Sequence, residues 1–329
     1  MKKICVGVIG IGSMGMHHAR NFSEIDGAKL VAIADIDAKK GLEISEKYRC
    51  LFYRDYRKLL ASKEITAVTI AVPTFLHYKV ARDSLFAGKH VLVEKPITDK
   101  SIYAKRLIKE AKKRNLILAV GHLERFNPAV LELKRYLKRG EIGEIVSLLA
   151  RRVGLYPPNI LDTNVIVDLA IHDIDIFSFL LDRQPVSIYC MGGKAQKGQR
   201  EDYAQILLSY PQNINGIIQV NWITPVKIRQ LSVTGTKGYV ELDYITQKIK
   251  IYRSRYMRGF TSFREFLAKF GTPDVIDISV TGEEPLKAQL RAFTDCIRNG
   301  EKYPVDGNVG LLALMVAEKA LSSLYKNSK

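Results

Sequence analysis

Taken position by position, the chain falls into two patterns that change near Gly121. Before it, a continuous apolar run at Ile4–Ile9 and largely apolar runs at Leu30–Ala34, Ala67–Val72, His90–Val93 and Ile117–Val120 alternate with stretches of helical spacing. A strand apolar on both faces belongs inside a parallel sheet, because a strand with one wet face would alternate. The intervening stretches, Gly15 to about Phe22, Ala38–Lys47, Leu76–Ala87 and Ser101–Lys113, predict helices. In the last of them Ala104, Leu107, Ile108 and Ala111 form one apolar stripe. This rhythm predicts a doubly wound parallel sheet over residues 1–121.

Beyond Gly121 a helix to about Lys138 is expected, then a second helical stripe through Ala170, Ile174, Phe177 and Leu181. Strand patterns follow at Val186–Cys190, Ala204–Tyr210, Gly216–Trp222, Gln230–Thr234, Tyr239–Tyr244 and Lys248–Tyr252, with turn punctuation at Pro211-Gln212-Asn213 and Thr236-Lys237-Gly238. No long helix separates these strands, so they predict an open, mostly antiparallel sheet. One face would cover the helix carrying His172, and the other would pair with another subunit. Two helices close the chain, the last with Ala313, Val316, Ala317, Ala320, Leu321 and Leu324 on its core face. The fold class is therefore α/β in two domains, residues 1–121 and 122–329.

The candidate chemistry of the first domain sits where its strands end, the place at which ligands bind in such sheets. Ile4–Ile9 runs into Gly10-Ile11-Gly12-Ser13-Met14-Gly15. The glycines permit a tight turn, close approach to a pyrophosphate and tight helix–strand packing, while the helix N-terminus offers N–H groups to phosphate. Asp35 ends the next strand and is placed to bind the ribose hydroxyls of NAD, whereas a 2′-phosphate would meet its charge unfavourably. Pro73-Thr74 ends another strand at the same edge, and His77 one turn later is either a packed, capping histidine or a cofactor neighbour. Glu94-Lys95-Pro96 leaves the strand His90–Val93. Charged residues at such an exit need a partner or a role, and Lys95 is read as a catalytic residue with Glu94 beside the cofactor.

In the second domain, Arg125 and Asn127 of His122-Leu123-Glu124-Arg125-Phe126-Asn127-Pro128 are candidate substrate residues, lying where the last strand of the first domain ends. Asp168, His172 and Asp175, spaced by four and three, share a helix face apart from the apolar stripe. Flanking carboxylates fix a histidine tautomer and raise its basicity, as a general base requires. A zinc site is the competing reading, and the absence of the zinc-protease spacing or of a further histidine or cysteine nearby speaks against metal. A basic, aromatic stretch at Met257–Phe270 has the composition of a lid.

Composition narrows this only a little. Hydrophobic content of 47% with 26% charged residues fits a globular enzyme, and no apolar run approaches the roughly 20 residues of a membrane span. Lys2-Lys3 and the apolar residues after it mimic a leader, but Gly7, Gly10, Gly12 and Gly15 interrupt the run. The four cysteines lack pairing or metal spacing, which fits a reducing cytoplasm. The net charge of +17 comes from lysines and arginines spread over helix faces, with no nucleic-acid motif beside them, and an anionic substrate would suit it.

With these residues in view, the chain resembles the glucose–fructose oxidoreductase / inositol 2-dehydrogenase / rhizopine-catabolism (Gfo/Idh/MocA) family along its whole length. Gly10–Gly15, Val72-Pro73-Thr74 with His77, Glu94-Lys95-Pro96, and Asp168 with His172 match its motifs in order. The resemblance implies a Rossmann domain joined to an α/β domain whose open sheet builds homodimers or homotetramers. It also implies NAD as cofactor, a Lys95–Pro96 peptide that is often cis, and Lys95 and His172 acting at the carbinol being oxidised, with Asp168 beside them. The segments His122–Ala129, Arg200–Ala204 and Trp222–Arg229 look like the nucleotide-sugar branch, especially UDP-N-acetylglucosamine 3-dehydrogenases. The expected activity is NAD-dependent oxidation of a sugar hydroxyl, with C3 of a UDP-N-acetyl-hexosamine as the leading substrate. A dehydrogenase of free sugars or inositols and a non-catalytic NAD-binding sensor are the alternatives.

Overall fold

The computed structural model describes residues 3–155, 163–196, 200–253, 262, 264 and 273–327. They form two compact units. The first is built on Met1–Phe126 and Glu283–Glu318, the second on Asn127–Asn159, Asn164–Gly282 and Lys319–Lys329.

In the first unit, strands β1 (Ile4–Ile9), β2 (Ala28–Ala34), β3 (Leu51–Tyr53), β4 (Ala67–Ile70), β5 (His90–Glu94) and β6 (Leu118–Gly121) alternate with helices α1 (Ser13–Glu24), α2 (Ala38–Tyr48), α3 (Tyr56–Ala61), α4 (Thr74–Phe86) and α5 (Ser101–Lys113). The strands pair in parallel in the order β3-β2-β1-β4-β5-β6. The direction of succession reverses between β1 and β4, which opens a crevice at their carboxyl ends. Alternate residues of each strand feed two cores, one per face of the sheet. On one face Val80, Ala81 and Leu85 of α4 pack with Ala104, Leu107 and Ala111 of α5. On the other, Ala19 and Phe22 of α1 pack with Leu286, Leu290, Phe293 and Cys296.

Those last residues belong to a helix near the C-terminus, Pro285–Asn299, which a single division at Gly121 assigns to the second domain. Its apolar stripe completes the core under α1 and β1, so the chain returns to its first unit instead of dividing once at Gly121. The backbone near Asp306 also pairs with β6 at Ala119.

The second unit begins with α6 (Pro128–Lys138) and contains α7 (Ile171–Leu181) and an eight-stranded sheet. Its strands are β7 (Ile145–Leu155), β8 (Ser187–Gly193), β9 (Tyr203–Tyr210), β10 (Ile214–Asn221), β11 (Ile223–Gly235), β12 (Gly238–Asp243), β13 (Lys248–Arg253) and β14 (Asp274–Ser279), in the order β14-β13-β12-β11-β7-β10-β9-β8. Among the described residues of this sheet, only β7 and β10 pair in parallel. On the inner face, Phe177 of α7 packs against Gly216 of β10, where a Cβ would stand 2.8 Å from its ring. The outer face carries a cross-strand row, Leu149–Ile217–Leu207–Tyr189, in register over four strands. Each member is 42–46% exposed, an apolar stripe across the middle of an open sheet.

Among the described residues no helix is long and apolar enough to cross a membrane. None of the four cysteines forms a disulfide, and burial pushes the Cys190 thiol up to about 12. The Met257–Phe270 segment lies outside the described residues except for Ser262 and Arg264.

Candidate active site

The turn after β1 is shaped by steric necessity. Gly10 has φ of +89°, and a Cβ on Gly15 would fall 1.8 Å from the Gly10 carbonyl oxygen. Side chains at either position would break the turn. Gly12, by contrast, faces open space, with nothing within 4 Å of a Cβ built there. It stands at the N-cap of α1 without a side-chain cap, leaving the first-turn N–H groups and the positive helix end to an anion. Gly12 and Ser13 are exposed, Met14 is half-buried, and Ile11 is buried in the core below.

Asp35 follows β2 and reaches back to this turn. Its Oδ2 accepts the Ile11 N–H at 2.5 Å and its Oδ1 accepts the Asp37 N–H at 2.9 Å. The carboxylate is thus held at the rim of the glycine turn, half-buried, beside an Ile36 that is 83% exposed. An open glycine, an uncapped helix start and a fixed carboxylate at the end of the second strand fit a dinucleotide pyrophosphate and ribose.

At the end of β5, Glu94 is buried and Lys95 half-buried, and the Lys95–Pro96 peptide is cis. Glu94 Oε1 lies 2.9 Å from His18 Nε2 of α1, and Oε2 accepts the Lys95 N–H at 3.3 Å. Burial alone would push the Glu94 carboxyl up. The His18 hydrogen bond and the charges of His18, Lys95 and His77 outweigh it and hold the group below its ordinary range, so it is a carboxylate. Tyr303 is buried nearby, its hydroxyl driven well above its ordinary value by burial first and by neighbouring charges, Glu94 among them.

His77 is packed inside the first unit. It is 1% exposed, with Nδ1 2.7 Å from the Pro96 carbonyl and Nε2 2.9 Å from the Val72 carbonyl. Both ring nitrogens face backbone carbonyls, so His77 ties the exit of β4 to the Lys95–Pro96 turn. Of the alternatives weighed from the sequence, the packed histidine is the one observed. Pro73 is exposed and Thr74 half-buried at the start of α4, at the same edge of the sheet.

In the second unit, a π-helical turn, Ile166–Ala170, leads into α7. Such wide turns are rare and recur at functional sites. Asp168 lies in the wide turn and His172 in the first turn of α7, both half-buried. Asp175, expected beside them, is 2% exposed and faces inward. The anchor of this helix is Asp173, which the sequence reading passed over. Arg152 of β7 clasps it from two nitrogens, Nε at 2.8 Å and Nη2 at 3.0 Å. The Tyr244 hydroxyl adds a bond at 3.3 Å and its ring lies 4.8 Å from the guanidinium carbon. Among the described residues no group of three or more His, Cys, Asp and Glu side chains comes together as a metal site.

Two residues expected to meet substrate part company. Arg125 lies half-buried in a 3₁₀ turn, Leu123–Phe126. Asn127 is 2% exposed and caps α6, its Oδ1 accepting the Ala129 N–H at 3.1 Å while its Nδ2 donates to the Tyr244 carbonyl at 3.1 Å. Its amide belongs to the fold. The residue that sequence reading missed in the first unit is His18, although it stands one helical turn beyond Gly15 and so on the same inward face.

Residues 4–122 match the family model described as an oxidoreductase family with an NAD-binding Rossmann fold. Residues 130–241 match the GFO/IDH/MocA C-terminal domain. The chain is 29% identical to a UDP-N-acetylglucosamine 3-dehydrogenase of Acidithiobacillus ferrooxidans over 94% of each chain. A solved structure of that name from the same organism superposes with a TM-score of 0.85 at 27% identity, covering 98% of both. An inositol 2-dehydrogenase of Saccharopolyspora erythraea is 31% identical over 98% of this chain and 94% of its own.

Proposed function

The chain belongs to the Gfo/Idh/MocA oxidoreductases, NAD-dependent dehydrogenases of sugars and polyols, and from that premise we propose that it oxidises C3 of a UDP-N-acetyl-hexosamine. The observation that carries this reading is the likeness to a UDP-N-acetylglucosamine 3-dehydrogenase along nearly the full length of both chains. The net charge of +17 supports it, since two phosphates enter with the substrate and arginines such as Arg125 bind phosphate bidentately.

Gly10–Gly15 and Asp35 are the residues that would hold NAD, which when bound would supply the hydride acceptor. His172 takes the hydroxyl proton of the sugar. Lys95 donates a hydrogen bond to the same oxygen and stabilises the negative charge that develops there. Asp168 orients His172 or binds a neighbouring hydroxyl. Catalysis here is the differential stabilisation of an alkoxide, which a fixed ammonium performs without reorganisation. The outer row Leu149–Ile217–Leu207–Tyr189 joins a second copy of the chain. A reducing cytoplasm is the setting, for which the cysteines, none in a disulfide, are the support.

A free polyol as substrate is the second reading, favoured by the likeness to an inositol 2-dehydrogenase. The test is NADH formation with UDP-N-acetylglucosamine, UDP-N-acetylgalactosamine, free N-acetylglucosamine and myo-inositol. Turnover with a UDP-sugar supports the proposal, and turnover with free sugars or inositol alone replaces it. Failure with all, alongside tight NADH binding, leaves a sensor. In a Lys95→Met variant turnover falls by about 10²–10⁴-fold while NADH still binds.

A further inference from the structure

The buried pair behind Lys95 has no part in the chemistry just described. His18 is wholly buried on α1, and Glu94 at the end of β5 is 6% exposed. Their 2.9 Å contact joins the helix that opens on the glycine turn to the strand that ends in the lysine. Because the carboxylate is ionised, Nε2 of His18 is the donor. Among the described residues, Nδ1 of the same ring has no hydrogen-bond partner, so the hydrogen bond that orients the ring is the one to Glu94. The second carboxylate oxygen takes the Lys95 N–H. A third element seats the group: a Cβ on Gly121, the last residue of β6, would lie 2.9 Å from the carboxyl carbon and from both oxygens. Only a residue without a side chain leaves room for the carboxylate at that position.

We propose that His18 and Glu94 are positioning residues for Lys95, with Gly121 as the seat that fixes the carboxylate. The inference rests on Lys95 being the catalytic amine. An ionised carboxylate in a buried site is costly without partners, yet a purely structural hydrogen-bonded pair could be placed anywhere in the core. This one is placed so that one oxygen is held by α1 and the other holds the backbone of the lysine. Rotation of that peptide would break one of the two bonds. The long, flexible lysine stem can return its amine to one point only if its backbone is held, and a misplacement of about 1 Å costs on the order of 100-fold in rate.

The test compares His18→Met, His18→Gln, Gly121→Ala and Lys95→Met with the unaltered protein. Each is assayed for kcat and KM with NAD and UDP-N-acetylglucosamine, or with whichever sugar of the panel above is turned over, and for NADH affinity by fluorescence. In His18→Met, kcat falls by about 100-fold with NADH affinity held within a few-fold, and His18→Gln, which keeps an N–H for the carboxylate, regains about tenfold. Gly121→Ala, which displaces the carboxylate without touching His18, lowers kcat in the same way. Undiminished kcat in His18→Met and Gly121→Ala overturns the inference, as does an equal loss of kcat and NADH affinity in both His18 variants, the mark of a merely structural pair. An inactive Lys95→Met beside a fully active His18→Met removes this inference alone. An active Lys95→Met, or an unaltered protein inert toward the whole panel, removes the catalytic reading and this inference with it.

Discussion

Replacing Arg152 by Met tests how the helix bearing His172 is held. Arg152 and Asp173 are 4% and 0% exposed, and they meet through two bonds of 2.8 and 3.0 Å in a pocket roofed by Tyr244. The methionine fills much of the space but, among the described residues, leaves the Asp173 carboxylate with only the longer Tyr244 bond. Removing one partner of such a pair costs about 3–5 kcal/mol, mostly through the buried charge left behind. For a unit of roughly 150–250 residues each kcal/mol moves Tm by about 2–4 °C, so a fall on the order of 10 °C is expected. The single tryptophan, Trp222, is buried and belongs to the second unit, so its fluorescence on heating follows the right transition. Arg152→Met combined with Asp173→Leu removes both charges and recovers most of the loss, because apolar packing substitutes well for a buried ion pair. An Arg152→Met protein that melts within about 2 °C of the unaltered one refutes the reasoning, as does a double variant no more stable than the single.

Asp35→Ser removes the carboxylate at the rim of the glycine turn. Loss of charge-assisted hydrogen bonds worth about 1.5–3 kcal/mol weakens NAD binding by roughly 10–100-fold and narrows the preference over NADP, read by titration of both dinucleotides. Ile217→Asp puts a charge in the middle of the outer apolar row, and sedimentation is expected to give dimers or larger assemblies for the unaltered protein and monomers for the variant; an unchanged mass contradicts the proposed role of that face. Glu94 titrates below its ordinary value of 4.5, so its contribution to stability is present above that value and is lost as pH falls through the lower, folded-state value. The advantage of the unaltered protein over Glu94→Gln in urea unfolding is therefore largest near neutrality and shrinks in acid, and a gap independent of pH speaks against an ionised Glu94.

What could be read from the sequence was what is local in it. Gly10–Gly15 and Glu94-Lys95-Pro96 are short stretches whose residue types suit only a few backbone shapes, and both stand where the strand pattern put them. The same holds for Asp35, one residue past β2. His18 escaped notice because its partner is 76 residues away, and nothing near it in the chain marks it as other than a helix residue. β7 was missed because Arg151-Arg152 interrupts its apolar pattern, and Arg152 can face inward only because Asp173 awaits it. β14 lies at the sheet edge with mostly exposed residues, so hydrophobic patterning could not find it. Spacing grouped Asp175 with His172 on a regular helix. The amphipathic stripe of Pro285–Asn299 announced a helix but could not say which core it would complete.

Everything proposed for the site depends on oxidation of a sugar carbinol carbon with Lys95 at the reacting oxygen. UDP-N-acetylglucosamine carrying deuterium at C3 tests it directly, with the reduced dinucleotide weighed by mass spectrometry after incubation with NAD. One deuterium is expected in each reduced dinucleotide, and its near disappearance from the same incubation with Lys95→Met. Reduced dinucleotide without deuterium, or the same yield from Lys95→Met, would contradict it.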